Sequence, residues 1–283
     1  MSESQQQKKS SESAGDWSVV ITSDKPLFHL PLKELWSYRD LLVLTIHRDF
    51  VALHKQTVMG FLWYVIPPVI MTLVYKVVFG NIAKIPTNQI PPFLFFMSGI
   101  VLWTYFSTCI SKTATTFTAN APLFNKVYFP RLILPLSYCI SNLWQFVVQL
   151  AIFSGFYVFF LFRGSPIEFS YRIIIVPLLI IQIAVLGLGA GCWISAMTTR
   201  YRDLQMAVAP VIQLWMYASC IFYPRSSVPE NMQWLMTLNP LVPIIETFRF
   251  ATMGQGQVEI YQLSISIAIT CVVFIVGVVE FGR

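Results

Sequence analysis

Charged residues are scarce in this chain of 283 residues. They make up 11% of the sequence, whereas a typical soluble domain has about 25%. Hydrophobic residues make up 56%, and the mean hydropathy is +0.65. This composition excludes an ordinary soluble enzyme. It also excludes an intrinsically disordered chain, which would combine low hydrophobicity with a high net charge.

Motifs of nucleotide and metal chemistry are missing as well. The sequence has no GxxxxGK[ST] phosphate loop, no HExxH, no GxSxG and no cluster with metal-ligand spacing. Acidic residues are nearly absent from the apolar stretches, where ion-coupled carriers place ionisable groups. We therefore expect no enzyme activity and no cofactor in this chain, and any active transport would need a separate energy source.

Long apolar blocks are what the sequence has instead. A membrane-spanning helix needs roughly 20 mostly apolar residues, and a segment in lipid must satisfy its own backbone hydrogen bonds. The sequence therefore predicts an all-α integral membrane protein whose transmembrane domain covers residues 57–283. The six predicted spans are 58–79, 92–110, 132–162, 173–197, 206–223 and 262–281.

The positive charges indicate the orientation of these spans. Cytoplasmic loops carry more Lys and Arg than external loops. With the N-terminus inside, 13 of the 19 basic residues fall on the cytoplasmic side and five on the outer side, so both termini are expected in the cytoplasm. The net charge of +6 is small and lies mostly on that side, which favours contact with membrane lipids over nucleic acid.

The segment before the first span has a different character. Residues 1–30 are mainly polar and predict a mobile cytoplasmic tail. In residues 31–56, apolar side chains recur every three or four residues from Leu35 to Leu53 among charged ones. This pattern predicts an amphipathic helix in the membrane interface. The helix is either a simple anchor or a contact surface for a cytoplasmic partner.

A short cytoplasmic stretch between spans two and three reads NAPLFNKVYFPR, residues 120–131. It combines two prolines, two cations and three large aromatic residues, and aromatic residues and Arg are enriched at protein interfaces. A solvated turn would not need so many large side chains. We therefore predict that this stretch docks a partner protein.

Residues 226–256 contain apolar runs that are too short to cross a membrane. They predict a re-entrant helical segment at the outer face, before the last span. Glu246 and Arg249 are three residues apart on one run, and charges at membrane depth are costly unless paired. The sequence therefore predicts an ion pair between them at the outer face.

Four segments together resemble the ABC-2 type permeases of bacterial polysaccharide exporters. They read HKQTVMGFLW at 54–63, NAPLFNKVYFPRLILPLS at 120–137, RYRD at 200–203 and NPLVPIIETFR at 239–249. The likeness is strongest to the O-antigen exporter permeases, the Wzm family, with the teichoic-acid exporter permeases near them. It extends from about residue 35 to the last residue.

This resemblance implies a homodimer of six-span subunits that carries two copies of a separate nucleotide-binding ATPase subunit. ATP and Mg would be bound by that partner and not by this chain. The amphipathic helix and the stretch between spans two and three would touch the ATPase. The residues implied in docking are Arg48, Lys55, Phe124, Lys126, Tyr128, Phe129, Arg131, Arg202 and Asp203.

The resemblance also implies a lipid-linked polysaccharide as substrate, moved across the inner membrane of a bacterium. A path for a sugar polymer needs aromatic surfaces and weak, repeated hydrogen bonds, because tight binding would stop movement. Aromatic residues make up 15% of the chain. We predict that spans one, two and five line the path, with contacts from Trp103, Tyr105, Phe106, Trp215 and Tyr217.

Three other functions remain open from the sequence. The chain could belong to an ABC-2 exporter of a drug or a small lipid, with the same fold and partner. A membrane-embedded glycosyltransferase would need carboxylates or a metal site near the membrane surface, and the sequence has no suitable cluster. A passive channel would not need the docking stretch between spans two and three.

Overall fold

A computed structural model describes residues 32–54, 60, 62–124, 129–167, 170–201, 203–255 and 259–282. These residues form helices and turns, with no β-strand among them. The predicted tail at 1–30 lies outside the described residues. The described part of the chain contains twelve α-helices: α1 Leu32–Ser37, α2 Arg39–His54, α3 Leu62–Tyr75, α4 Pro92–Ala114, α5 Thr116–Ala119, α6 Ala121–Phe124, α7 Ile133–Phe162, α8 Val176–Arg200, α9 Leu204–Tyr217, α10 Gln233–Leu238, α11 Leu241–Met253 and α12 Ile260–Gly282.

Five stretches of the described chain are long and apolar enough to cross a membrane. Two of them begin or end beyond an α-helix, since a π-helical turn extends α3 and a 3₁₀ turn precedes α8. The five stretches are Leu62–Ile82, Pro92–Ala114, Ile133–Phe162, Tyr171–Arg200 and Ile260–Gly282. They match five of the six predicted spans within a few residues.

The predicted fifth span, 206–223, differs from the structure. Helix α9 ends at Tyr217 and has 14 residues, or about 21 Å of helix, which is shorter than the roughly 30 Å of a hydrocarbon core. The chain then leaves the helical path, and Cys220 has φ of +53°. Side chains stabilise this irregular stretch: Asn239 donates to the carbonyl of Ala218, and Arg249 donates to those of Cys220 and Ile221.

Helix α4 is the centre of the bundle. Of its 18 most apolar consecutive residues, 83% are buried. The corresponding share is 17% for the stretch that contains α3 and 28% for α7 and for α12. Helices α7 and α8 pack on it, and α12 packs on the other side of α8. Gly189 permits that last contact, because a Cβ atom there would lie 2.5 Å from the Cα of Phe274.

The amphipathic segment forms α1 and α2, and α2 lies along α7. Leu35, Tyr38 and Leu42, from the predicted apolar face, pack against a small core of Phe129, Ile133 and Leu134. Val43 and Leu44 on the same helix are largely exposed. The helix therefore has one apolar surface against the bundle and another that faces outward.

Candidate functional site

Arg249 on α11 is the most fully buried charged residue among those the structure describes, with 1% of its surface exposed. Its Nη1 atom lies 3.1 Å from Oε1 of Glu246, so the two side chains form an ion pair. Burial lowers the pKa of the Arg249 guanidinium, and the carboxylate of Glu246 opposes that shift. Two charges three residues apart thus compensate each other inside the protein.

The remaining donors of Arg249 join three parts of the chain. Nη1 donates to the carbonyl of Cys220 at 2.9 Å, and Nη2 donates to the carbonyl of Ile221 at 3.1 Å. On α4, Nε donates to Oγ of Ser98 and Nη2 to the carbonyl of Phe95. We call this set of contacts the Arg249 junction. It holds α4, α11 and the irregular stretch after α9 together.

Asn239 binds the same irregular stretch after α9. The sequence analysis did not identify this residue. Its Oδ1 accepts from Nε1 of Trp215 at 3.1 Å and from the backbone N–H of Leu241 at 3.1 Å. Its Nδ2 donates to Oγ of Ser219 at 3.1 Å, as well as to the carbonyl of Ala218. An Asn-Pro pair directly before an apolar run is a helix-start signal that could have identified this residue.

The structure places three of the five predicted path residues inside the subunit. Trp103, Tyr105 and Phe106 on α4 have 8%, 3% and 0% of their surface exposed. Phe106 has its ring centroid 5.1 Å from that of Trp215, and the Tyr105 hydroxyl donates to the carbonyl of Cys139 at 3.3 Å. These rings pack against protein in this conformation. Tyr217 on α9 is 50% exposed.

Several predicted docking residues lie near one another at the Ala114 end of α4. The rings of Phe124 and Phe129 stack with centroids 5.4 Å apart, and Phe124 also contacts Phe117. The guanidinium of Arg131 lies 5.8 Å from the centroid of the Phe117 ring. Phe129 belongs to the small core on which α1 and α2 pack, and Phe124 packs against that core. Two elements that sequence analysis assigned to the same partner are therefore in contact.

The other predicted docking residues are less connected. Arg48 forms an ion pair with the adjacent Asp49, with 2.9 Å between Nη2 and Oδ1. Asp203 is exposed in the turn before α9. Lys55, Lys126, Tyr128 and Arg202 lie outside the described residues.

Lys112 connects the same end of α4 to α7, and sequence analysis assigned it no role. Its Nζ atom donates to Oδ1 of Asn142 at 2.8 Å. On the same helix, the ring of Trp144 meets Phe50 of α2 edge-on, with centroids 5.5 Å apart. An aromatic contact therefore joins α2 to α7 near the hydrogen bond that Lys112 of α4 donates to α7.

The long apolar helices, the amphipathic helix beside them and the charged pair on a short buried helix define a polytopic helical membrane protein. Residues 40–253 match the model of the ABC-2 type transporter family. This match covers most of the chain, and the protein belongs to that family.

Known relatives match the sequence of this chain over most of their own length. The O-antigen export system permease protein RfbA of Klebsiella pneumoniae is 27% identical over 86% of this chain and 92% of its own. RfbA of Myxococcus xanthus is 28% identical over 77% of this chain and 82% of its own. The polysialic acid transport protein KpsM of Escherichia coli is 25% identical over 77% and 83%, respectively. Each of these relatives is a transport protein by name.

Proposed function

We propose that this chain is the membrane subunit of an ATP-driven exporter that moves a lipid-linked, O-antigen-like polysaccharide from the cytoplasm to the outer face of the bacterial inner membrane. The observation that carries this proposal is the similarity to O-antigen and polysialic acid permeases over at least 77% of the chain. The two kinds of relative share a class of cargo, a polysaccharide, although they carry different sugars. The proposal extends that class of cargo to this protein.

The proposed topology has six spans with both termini in the cytoplasm. In this proposal the fifth span consists of α9 and the irregular stretch 218–223. Together they contain 20 residues, about the number that a span needs. Helices α10 and α11 have six and 13 residues and form the re-entrant segment at the outer face. Burial of Arg249 supports this assignment, because an ion pair on a re-entrant helix is stable only when protein surrounds it.

The energy source in this proposal is a separate ATPase, present in two copies, which binds ATP and Mg. It docks on α2, on the stretch 120–131 and on the turn that contains Arg202 and Asp203. This arrangement is supported by the small core that contains Phe129, because Leu42 of α2 and Phe124 of the docking stretch both pack against it. A movement of the docking stretch would reach α2 and α7 directly through that core.

A second copy of the chain completes the proposed transporter. Helices α3 and α9 have large exposed apolar side chains, such as Ile70, Met71, Leu214 and Tyr217. In a two-fold dimer, the same faces of both copies would surround a central path. Since Trp103, Tyr105 and Phe106 are covered, we revise their role: they support the wall from behind, next to Trp215, and Tyr217 meets the polymer.

The proposed function is tested in a strain from which the gene for this chain has been deleted. We expect surface polysaccharide to be lost and lipid-linked polymer to accumulate inside the cell. A plasmid copy of the same gene should restore the surface polymer only when an active ATPase subunit is present. Normal surface polysaccharide in the deletion strain would overturn the proposal.

A further inference from the structure

A polar cavity of about 350 Å³ lies at the Pro92 end of α4, beside the Arg249 junction. One wall is the loop between the helical turn that follows α3 and the start of α4. The other wall is formed by α10, α11 and the segments that flank them. Small-molecule sites typically have volumes of about 300–1,000 Å³, so this cavity has room for a small ligand.

The lining is rich in amides and includes charged and hydroxyl groups. It includes Asn88, Ser226, Gln233, Glu246, Gln255 and Glu259. Amide side chains both donate and accept hydrogen bonds, and carboxylates accept them. Among the described residues, none that lines the cavity is aromatic or aliphatic. A ligand of this cavity must therefore offer many hydrogen-bonding groups.

Internal contacts hold the lining in place but leave capacity for a ligand. Oγ of Ser226 donates to Oδ1 of Asn88 at 3.3 Å and joins the two walls. Nε2 of Gln233 donates to the carbonyl of Val228 at 3.4 Å, and no hydrogen bond of the described structure uses its Oε1. The Nδ2 group of Asn88 is likewise without a partner among the described residues. Donors and acceptors thus remain on both walls.

The loop wall is held in an unusual backbone conformation. Asn88 and Gln89 have φ of +47° and +64°, in the left-handed region that non-glycine residues seldom adopt. Oγ1 of Thr87 donates to the carbonyl of Ile90 at 2.7 Å and closes the turn. Backbone strain of this kind is common at ligand-binding sites. Here it directs two successive amide residues to the cavity.

The charges around the cavity compensate one another. Glu246 pairs with Arg249, and Glu259 lies 3.8 Å from Nη1 of Arg225. An anion would face the carboxylates of Glu246 and Glu259, and a cation would face the guanidinium of Arg225; Arg249 neutralises Glu246 but does not line the cavity. Among the described residues, no group of three or more His, Cys, Asp or Glu side chains is arranged to hold a metal ion. The balance of charge favours a neutral ligand.

We propose that this cavity is a weak binding site for uncharged sugar units, which it contacts through Asn88 on one wall and Gln233 on the other. A sugar presents hydroxyl groups that both donate and accept, and this matches the amide-rich lining. The proposal rests on the proposed function, because the sugar would come from the exported polymer. Binding without an aromatic stacking surface is weak, and weak binding allows a polymer to pass on.

The test measures sugar binding directly with the full chain in lipid nanodiscs. The probes are glucose, galactose, mannose, rhamnose and N-acetylglucosamine, together with oligosaccharides released from the strain's own surface polysaccharide. Saturation-transfer NMR should detect binding of at least one probe. Asn88→Ala and Gln233→Ala should each weaken it about three- to tenfold, the effect of one lost hydrogen bond.

Thr237→Ala is the matched control, because Thr237 lies one turn after Gln233 on the same short helix but does not line the cavity. Binding in this variant should equal that of the unmodified chain. Size-exclusion profiles identify any variant that fails to fold, and Gln233→Ala tests the site if Asn88→Ala disturbs the loop.

Three outcomes would overturn the sugar site. The first is that no probe binds. The second is that Gln233→Ala binds sugar as well as the unmodified chain does. The third is that inorganic phosphate displaces the sugar from the unmodified chain but not from a variant without Arg225. In each case the deletion experiment still decides the proposed function, because loss of surface polysaccharide does not depend on this cavity.

Discussion

At its Pro92 end, helix α4 meets the buried guanidinium of Arg249, whereas near its Ala114 end it adjoins stacked aromatic rings and the ammonium of Lys112. The first end is held by hydrogen bonds from Arg249 to the carbonyl of Phe95 in α4 and to those of Cys220 and Ile221, which no helix satisfies. The second end is held mainly by contacts between rings, such as those of Phe124 and Phe129.

The two ends of α4 should differ in how much free energy a small displacement costs. A buried charge with several hydrogen bonds has one favourable position, since displacement leaves polar groups unpaired. Aromatic rings can slide over one another at small cost, because dispersion contacts are individually weak. We infer that the Pro92 end is a rigid support and that the Ala114 end can transmit a displacement from a partner.

The rigid end should show the largest effect on stability. Arg249→Ala leaves Glu246 and the carbonyls of Cys220 and Ile221 without their buried partner, which typically costs about 3–5 kcal/mol. We expect a clear fall in the thermal unfolding temperature of the purified chain. Arg225→Ala is the control, because its more exposed and longer ion pair should contribute at most about 1 kcal/mol. Equal stability of the two variants would contradict the rigid-support interpretation.

The docking end should show the next largest effect, on association with the ATPase. Tyr128→Ala combined with Lys126→Glu removes an aromatic anchor and reverses a charge within the docking stretch 120–131. Loss of an anchor typically costs about 2 kcal/mol or more, roughly 30-fold in affinity. Quantitative co-purification measures this, with Phe162→Ala at the far end of α7 as the control. Unchanged co-purification and unchanged export in the double variant would refute the docking role.

Between the two ends, the contact of α8 with α12 depends on a small residue. Gly189→Ala places a Cβ atom 2.5 Å from the backbone of Phe274, so the helices must separate at a typical cost of about 1–3 kcal/mol. Gly155→Ala on α7 is the matched control, since a Cβ atom there meets nothing within 4 Å. Thermal unfolding of both variants tests the contact. A loss of stability in Gly155→Ala as large as that in Gly189→Ala would contradict this assignment, because helix propensity alone favours Ala over Gly.

The smallest expected effect concerns the path. Tyr217→Leu keeps the side chain apolar but removes an exposed ring, and aromatic contacts are worth about 0.5–1.5 kcal/mol, so export should fall about two- to tenfold. Surface polysaccharide is compared at equal permease level. Trp103→Leu is the comparison variant, because its ring is buried and should act through stability alone. Wild-type export from Tyr217→Leu would assign its ring to lipid or packing contacts.

The local pattern of the sequence was enough for much of this protein. Apolar length predicted five of the long helices, because each segment in lipid must satisfy its own backbone hydrogen bonds. The spacing of Glu246 and Arg249 predicted their ion pair for the same kind of local reason, since residues three apart lie on one helix face. Four ordered motifs were sufficient to suggest the family.

Tertiary structure alone decided which apolar residues face protein and which face outward. Hydropathy is the same for Phe106, which is covered, and for an aromatic residue in contact with lipid, so periodicity cannot separate them. The sequence also did not predict that α9 ends at Tyr217. The chain can leave the helical path there because Arg249 and Asn239, distant along the chain, supply donors for the carbonyls of Ala218, Cys220 and Ile221 that follow α9.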